Sequence, residues 1–274
     1  MKNLQNLHTH STYDDGKNTL REMIEIAIGK GFDSIGFSGH SYMHYSPGAS
    51  MSLEGTEEYK KEIALLKEEY KGQFDIFCGL EFDRYSEIDL SGYEYLIGSV
   101  HYLKIDDKHV GFDRREYGLV KNVIDTYFDG KGIEFAKEYY KTLATLPECG
   151  DFDIIGHFDV VSKHVENGFL FDVNSKEYLD AAIEAAEILA GKIPYFEVNT
   201  GPIPRNYRSY PYPDKRILKE LNRLGFGAVI SSDCHNGQYL DSYFEEAEQI
   251  LMECGFKERY ILTDDGFIPV KIQR

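Results

Sequence analysis

Residues 7–16 read LHTHSTYDDG. His8 and His10 stand two apart, so on an extended strand their imidazoles point the same way and can reach one cation. Asp14, Asp15 and Gly16 follow at once. The stretch SDCH at 232–235 repeats the spacing with Asp233 and His235. Between them, His40 closes SIGFSGH, Glu81 closes IFCGLE, His101 closes YLIGSVH and His157 lies in DIIGHFD. Imidazole and carboxylate donors without thiolate suit zinc, iron or manganese. They are too many for one four-coordinate ion, and two or three ions bridged by a carboxylate such as Glu81 would use them.

The elements that must position these donors are readable from periodicity. Short apolar runs alternate with helical ones from end to end. TLREMIEIAIGKG carries Leu20, Met23, Ile24, Ala27 and Ile28 at helical spacing. TEEYKKEIALLKEEYKG, most of 116–147, SKEYLDAAIEAAEILAG (with Ser175 as N-cap), DKRILKELNRLG and YFEEAEQILMECG read as further helices. NLHTH, SIGFSGH, FDIFCGLEFD, YEYLIGSVH, FDIIGHFD, IPYFEVNTG and GAVISSDCH read as strands. RYILT and FIPVKI flank the turn DDG as a final pair. About seven strand–helix units without a linker point to one parallel α/β domain over 1–274, barrel-like rather than an open sheet. In such folds the C-terminal strand ends share one face. Six of the nine histidines fall at these ends, so residues distant in sequence should converge there. His44, His109 and His164 read as surface or solvated residues.

Composition narrows the partners. The net charge of −17 and the lack of a Lys/Arg-rich run disfavour an extended nucleic-acid partner. A small anionic substrate stays compatible if cations reverse the charge locally. No apolar run reaches the ~18–20 residues of a membrane span, and MKNLQNLHTH has no apolar leader, so no membrane partner and a cytoplasmic location are expected. Cys78, Cys149, Cys234 and Cys254 are scattered and read as reduced structural thiols. Oligomeric state is not legible.

The blocks HTHSTYDDG, GFSGH, GLEFD, GSVH, IGHFD and SDCH resemble, in order, those of the polymerase and histidinol phosphatase (PHP) family. Chain length and the block EVNTGPIPR…YPYP look most like its histidinol-phosphate phosphatase branch. The resemblance covers nearly the whole chain and implies a distorted (β/α)7 TIM-like barrel with three divalent metal ions. Carried over residue by residue, it implies His8, His10, Glu81 and Asp233 for one ion. It implies Glu81, His101 and His157 for a second, with Glu81 bridging, and Asp15, His40 and His235 for a third. The family block often reads HxHTxxSDG, so Asp15 aligns here and Asp14 replaces a small residue, as a turn or supporting group.

The reaction implied is hydrolysis of L-histidinol phosphate to L-histidinol and phosphate, a step of histidine biosynthesis, with a metal-bridging hydroxide as nucleophile. An arginine fork should hold the phosphate. The sequence is one residue longer than the family block before Arg205, so Arg205 and Arg208 both stay open. Asp159 is a candidate to orient a ligand or protonate the leaving alkoxide, with a supporting structural role as the favoured reading. Tyr117 and Lys163 are candidate pocket residues. The rival readings are a phosphoesterase acting on another small monoester or a nucleotide, and a metal-binding module without catalysis.

Overall fold

The computed structural model describes residues 3–272. Seven parallel strands run around a nearly closed barrel in the order β1 (Gln5–Asn6), β2 (Ser34–Phe37), β3 (Asp75–Asp83), β4 (Tyr95–Ser99), β7 (Ile154–Ile155), β8 (Tyr195–Asn199) and β9 (Gly227–Ser231). The (β/α)7 expectation is met. Two hairpins stand outside the barrel: β5 (Tyr102–Ile105) with β6 (Lys108–Gly111), and β10 (Glu258–Thr263) with β11 (Gly266–Lys271). The helices are α1 (Leu20–Gly29), α2 (Leu53–Glu69), α3 (Tyr117–Tyr127), α4 (Gly132–Leu143), α5 (Lys176–Leu189), α6 (Lys215–Arg223) and α7 (Phe244–Glu253).

Local chemistry explains the element ends. A Thr19–Glu22 capping box starts α1, and Ser52, Ser175 and Asp214 cap α2, α5 and α6 with their side chains. The expected helical stretch 116–147 is broken between α3 and α4, where Asp129 (φ 53°) and Gly130 (φ 73°) take left-handed turns. The β5–β6 hairpin was missed by the sequence reading. Its signal is the two-residue turn Asp106–Asp107, both with positive φ (48° and 59°), between the runs YLKI and KHVG.

The barrel closes at the ligand-bearing stretches themselves. Thr9 and Cys234 form a parallel bridge in which His10 N–H donates to the Cys234 carbonyl (3.0 Å) and Cys234 N–H to the His8 carbonyl (3.1 Å). The seam between first and last strands therefore sets His8 and His10 beside Asp233 and His235.

Apolar packing divides in two. A large core joins the helices to the outer strand faces. A smaller cluster of Leu7, Phe77, Tyr95, Ile97, Ile154 and Val229, with Leu262 of the β10–β11 hairpin packed on it, has no helix residue, as the barrel interior requires. Tyr95 plugs it, donating its hydroxyl to the Leu7 carbonyl at 2.5 Å. Gly36 and Gly79 make room: a Cβ on either would come within 2.4 Å and 2.2 Å of the Tyr95 side chain. Gly79→Ala should therefore destabilise the protein by about 1–3 kcal/mol through overpacking. Urea unfolding checks this, and an unchanged midpoint would show that Tyr95 is free to move aside.

Candidate metal centre

At the C-terminal mouth of the barrel nine side chains meet. Glu81, at the end of β3, is the hub and is 1 % exposed. Its Oε2 lies 3.2 Å from His8 Nε2 and 2.8 Å from His40 Nδ1. Its Oε1 lies 3.0 Å from His157 Nε2 and 3.2 Å from His101 Nε2, and those two nitrogens are 3.1 Å apart. Asp233 Oδ1 faces His10 Nε2 at 3.2 Å and His8 Nε2 at 3.8 Å. Asp15 Oδ1 faces His235 Nε2 at 3.0 Å and His40 Nε2 at 3.8 Å. The donor atoms of His8, His10 and Asp233 lie within 4.8 Å of one another, as do those of His10, Asp15, His40 and His235, and those of His40, Glu81 and His101. All nine sequence candidates for ligands are thus brought together. His10 and His40 each face two groups, which the sequence reading did not anticipate.

The donors fit cations better than they fit each other. Four atoms that face the cluster, His8 Nε2, His10 Nε2, Glu81 Oε2 and Asp15 Oδ1, are buried without a partner in hydrogen-bond geometry. Each such orphan costs about 1–3 kcal/mol, so four together are comparable with the ~5–15 kcal/mol stability of a whole domain. Metal–donor bonds of about 2.0–2.2 Å put neighbouring ligands roughly 3–3.5 Å apart, and the observed spacings of 2.8–3.8 Å centre on that range.

A second layer of acids aims the imidazoles. Glu197, fully buried on β8, takes His8 Nδ1 at 2.9 Å, His157 N–H at 2.5 Å, Ser231 Oγ–H at 2.5 Å and Asn199 Nδ2 at 2.9 Å. Asp14 takes His10 Nδ1 at 2.6 Å and the N–H groups of Ser11 and His40. With Nδ1 of His8 and His10 thus occupied, their Nε2 atoms face the centre. Asp14 is the supporting group and Asp15 faces the donors. Asp83 takes His101 N–H at 2.9 Å. Asp233 sits at φ 47°, an uncommon conformation for a non-glycine residue and one that clusters at functional sites. Glu197 and Asp83 were missed from sequence. Their signal is an acid inside an apolar strand, as in YFEVN and GLEFD.

Above the centre lies a cavity of about 380 Å³. Five cationic side chains line it: Lys17, Arg114, Arg115, Lys163 and Arg205. Arg205 reaches the centre, with Nη2 2.9 Å from Asp233 Oδ2 and Nη1 3.5 Å from His235 Nδ1. Lys163 Nζ pairs with Asp113 at 2.5 Å and lies over the Tyr207 ring. Three candidates fall elsewhere. Arg208 is buried and committed to Asp159 and Ser162 instead of the cavity, because its guanidinium is sandwiched by Tyr210 and Tyr212. Asp159 is fully buried in that same ion pair, so it faces neither a leaving group nor a ligand. Tyr117 spends its hydroxyl on the Phe169 carbonyl and does not line the cavity. His164 is also buried rather than solvated, with Nε2 2.8 Å from the Arg114 carbonyl. His44 is exposed, and half-buried His109 stacks on Tyr45.

Charge coupling here is strong. Burial opposes protonation of His10, but Asp14 and Asp233 outweigh it and raise its pKa to about 10. Burial likewise opposes protonation of His8 and His101, yet Glu197 and Glu81 hold the first, and Glu81 and Asp83 the second, well above the usual imidazole range. Against burial, His8, His40 and His101 hold the Glu81 carboxyl low, and Arg205 and His8 do the same for Asp233. A ligating imidazole must be neutral, so cations entering this centre displace protons, and their affinity rises with pH. Zinc titration calorimetry at pH 7 in buffers of different ionisation enthalpy should show net proton release. Equal heats in all buffers would contradict these charge states.

The chain is 27% identical over 251 residues to the Bacillus subtilis "Histidinol-phosphatase", covering 84% of this chain and 91% of that one. It is 26% identical over 253 residues to the Deinococcus radiodurans "Probable histidinol-phosphatase", covering 86% and 88%. Its fold is similar to the crystal structure of histidinol phosphate phosphatase from Lactococcus lactis complexed with zinc, L-histidinol and phosphate, with a TM-score of 0.73, 24% identity, and coverage of 97% of this chain and 99% of that one. The PHP domain model matches residues 6–201, most of the chain, and the protein belongs to the PHP domain family.

Proposed function

We propose that this chain is a metal-dependent phosphatase that hydrolyses L-histidinol phosphate to L-histidinol and phosphate. It acts in the cytoplasm as one domain over 1–274 and uses three divalent cations drawn from zinc, iron and manganese. The observation that carries this reading is the nine-donor cluster at the floor of a cavity lined by five cations in a protein of net charge −17. That arrangement suits a small dianion and not an extended nucleic acid. The curated relatives named for histidinol phosphate, and the Lactococcus complex, favour this monoester over others.

When bound, the ions would supply Lewis-acid stabilisation of the phosphoryl oxygens and lower the pKa of a water towards 7. His8, His10, Glu81 and Asp233 would hold one ion, Glu81, His101 and His157 a second, and Asp15, His40 and His235 a third. Arg205 would offer its Nη groups to phosphoryl oxygens, a reading supported by its reach to the carboxylate edge of the cluster while its Nε is held by the Gly201 carbonyl. Lys163 and Arg114 add positive charge on the cavity wall. Among the described residues Asp113 is the one lining carboxylate outside the ligand set, and it is paired with Lys163, so an amino alcohol's ammonium would have to compete with that lysine for it.

The test is phosphate release from histidinol phosphate against a panel of sugar and nucleoside monophosphates. Histidinol phosphate should be the preferred substrate; better turnover of a nucleotide would overturn the substrate assignment. Glu81→Ala should abolish metal-dependent turnover. Arg205→Ala should lower kcat/KM by about 2–4 kcal/mol if it meets charge in the transition state. Wild-type kinetics in Arg205→Ala would remove that residue from the mechanism.

A further inference from the structure

Arg208 and Asp159 lie outside the cavity, yet both are fully wrapped. Arg208 Nη1 meets both Asp159 carboxylate oxygens at 3.2 Å and Ser162 Oγ at 2.6 Å, while Tyr210 and Tyr212 cover the guanidinium. Burial pushes the Asp159 carboxyl up, and Arg208 opposes that. A buried ion pair adds little net stability over apolar residues of the same shape, so stability alone does not account for it.

The pair joins two segments. Asp159 lies two residues after His157, a member of the donor cluster. Arg208 lies on the loop 200–214 that carries Arg205. That loop is pinched at its base, where Asn199 and Tyr212 exchange backbone hydrogen bonds of 2.9 Å. Further ties run to the same neighbour: Asp214 N–H donates to Asp159 at 3.0 Å, Ser209 N–H and Oγ–H donate to Glu166, and Tyr207 covers Lys163. Within the loop, Arg205 Nε donates to the Gly201 carbonyl at 2.7 Å. The loop is thus fixed at its base, along one side and internally, and Arg205 is the side chain it extends to the cluster.

We propose that Asp159 and Arg208 are positioning residues: their ion pair locks the loop 200–214 on to the segment after His157 and thereby aims Arg205 at the phosphate site. This rests on the phosphatase reading only in taking phosphate as the ligand of Arg205. The Arg208→Lys change keeps the charge but loses the planar guanidinium that lies over the Tyr210 and Tyr212 rings.

Inorganic phosphate binding to the zinc-loaded protein tests this by a double-mutant cycle, with zinc content measured for each variant. Arg208→Lys should weaken phosphate binding about tenfold at unchanged zinc content, since a displacement of about 1 Å at such a site can cost up to ~10²-fold. In an Arg205→Ala background the same change should have almost no further effect, because the two act through one group. Multiplying losses, or wild-type binding in Arg208→Lys, would overturn the proposal. So would a wild type that binds no phosphate. If Arg208→Lys does not fold, Ser162→Ala should weaken binding in the same coupled way, and uncoupled loss there would overturn it too. A cycle that couples as expected in a protein inactive on histidinol phosphate would sink the substrate assignment and leave the positioning role standing.

Discussion

The structure depends on one carboxylate. Glu81 sits buried where four imidazoles converge, with two of its faces within 2.8–3.2 Å of their nitrogens. Isolating such a charge from water costs several kcal/mol, and the imidazoles around it repel one another once protonated. A cation held by neutral imidazoles resolves both problems, because it balances the carboxylate and takes the place of the protons. The orphaned donor atoms and their ligand-like spacings describe a cage shaped for cations, and the cage sits at the end of β3 because parallel strands open on that face.

The rest of the barrel holds that cage still. Its closing bridge, Thr9 to Cys234, lies between His8 and His10 on one side and Asp233 and His235 on the other. Glu197 anchors His8 to β8 and to the His157 backbone, and Asp14 anchors His10 to the His40 backbone. Fold closure and site assembly are therefore the same event, which explains why buried acids recur just behind the donors. Arg205 and Lys163 then supply charge from loops that the Asp159–Arg208 pair holds in register.

Much of this was legible in the sequence, for a physical reason. Strand alternation and the placing of His40, His101, His157 and Asp233 at strand ends force convergence without knowledge of contacts. The choice of Asp15 over Asp14 as a donor-facing residue came from alignment of a block, and the geometry divides them the same way. Arg208 and Asp159 were misplaced because sequence proximity to Arg205 and His157 does not reveal which way a side chain turns, and both turn inward to each other. Glu197 was missed because a buried acid in an apolar strand makes no motif. The β5–β6 hairpin, which leads into the Arg114 and Arg115 wall, was hidden by an Asp–Asp turn in place of the more familiar Asn–Gly.

Anomalous X-ray scattering at the zinc edge, on crystals grown with zinc, would locate the cations in this cage. Three peaks are expected at the mouth of the barrel, one each among His8, His10 and Asp233, between Glu81, His101 and His157, and among Asp15, His40 and His235. A centre with no peak, or with a single ion and the remaining donors turned into hydrogen bonds with one another, would contradict that expectation.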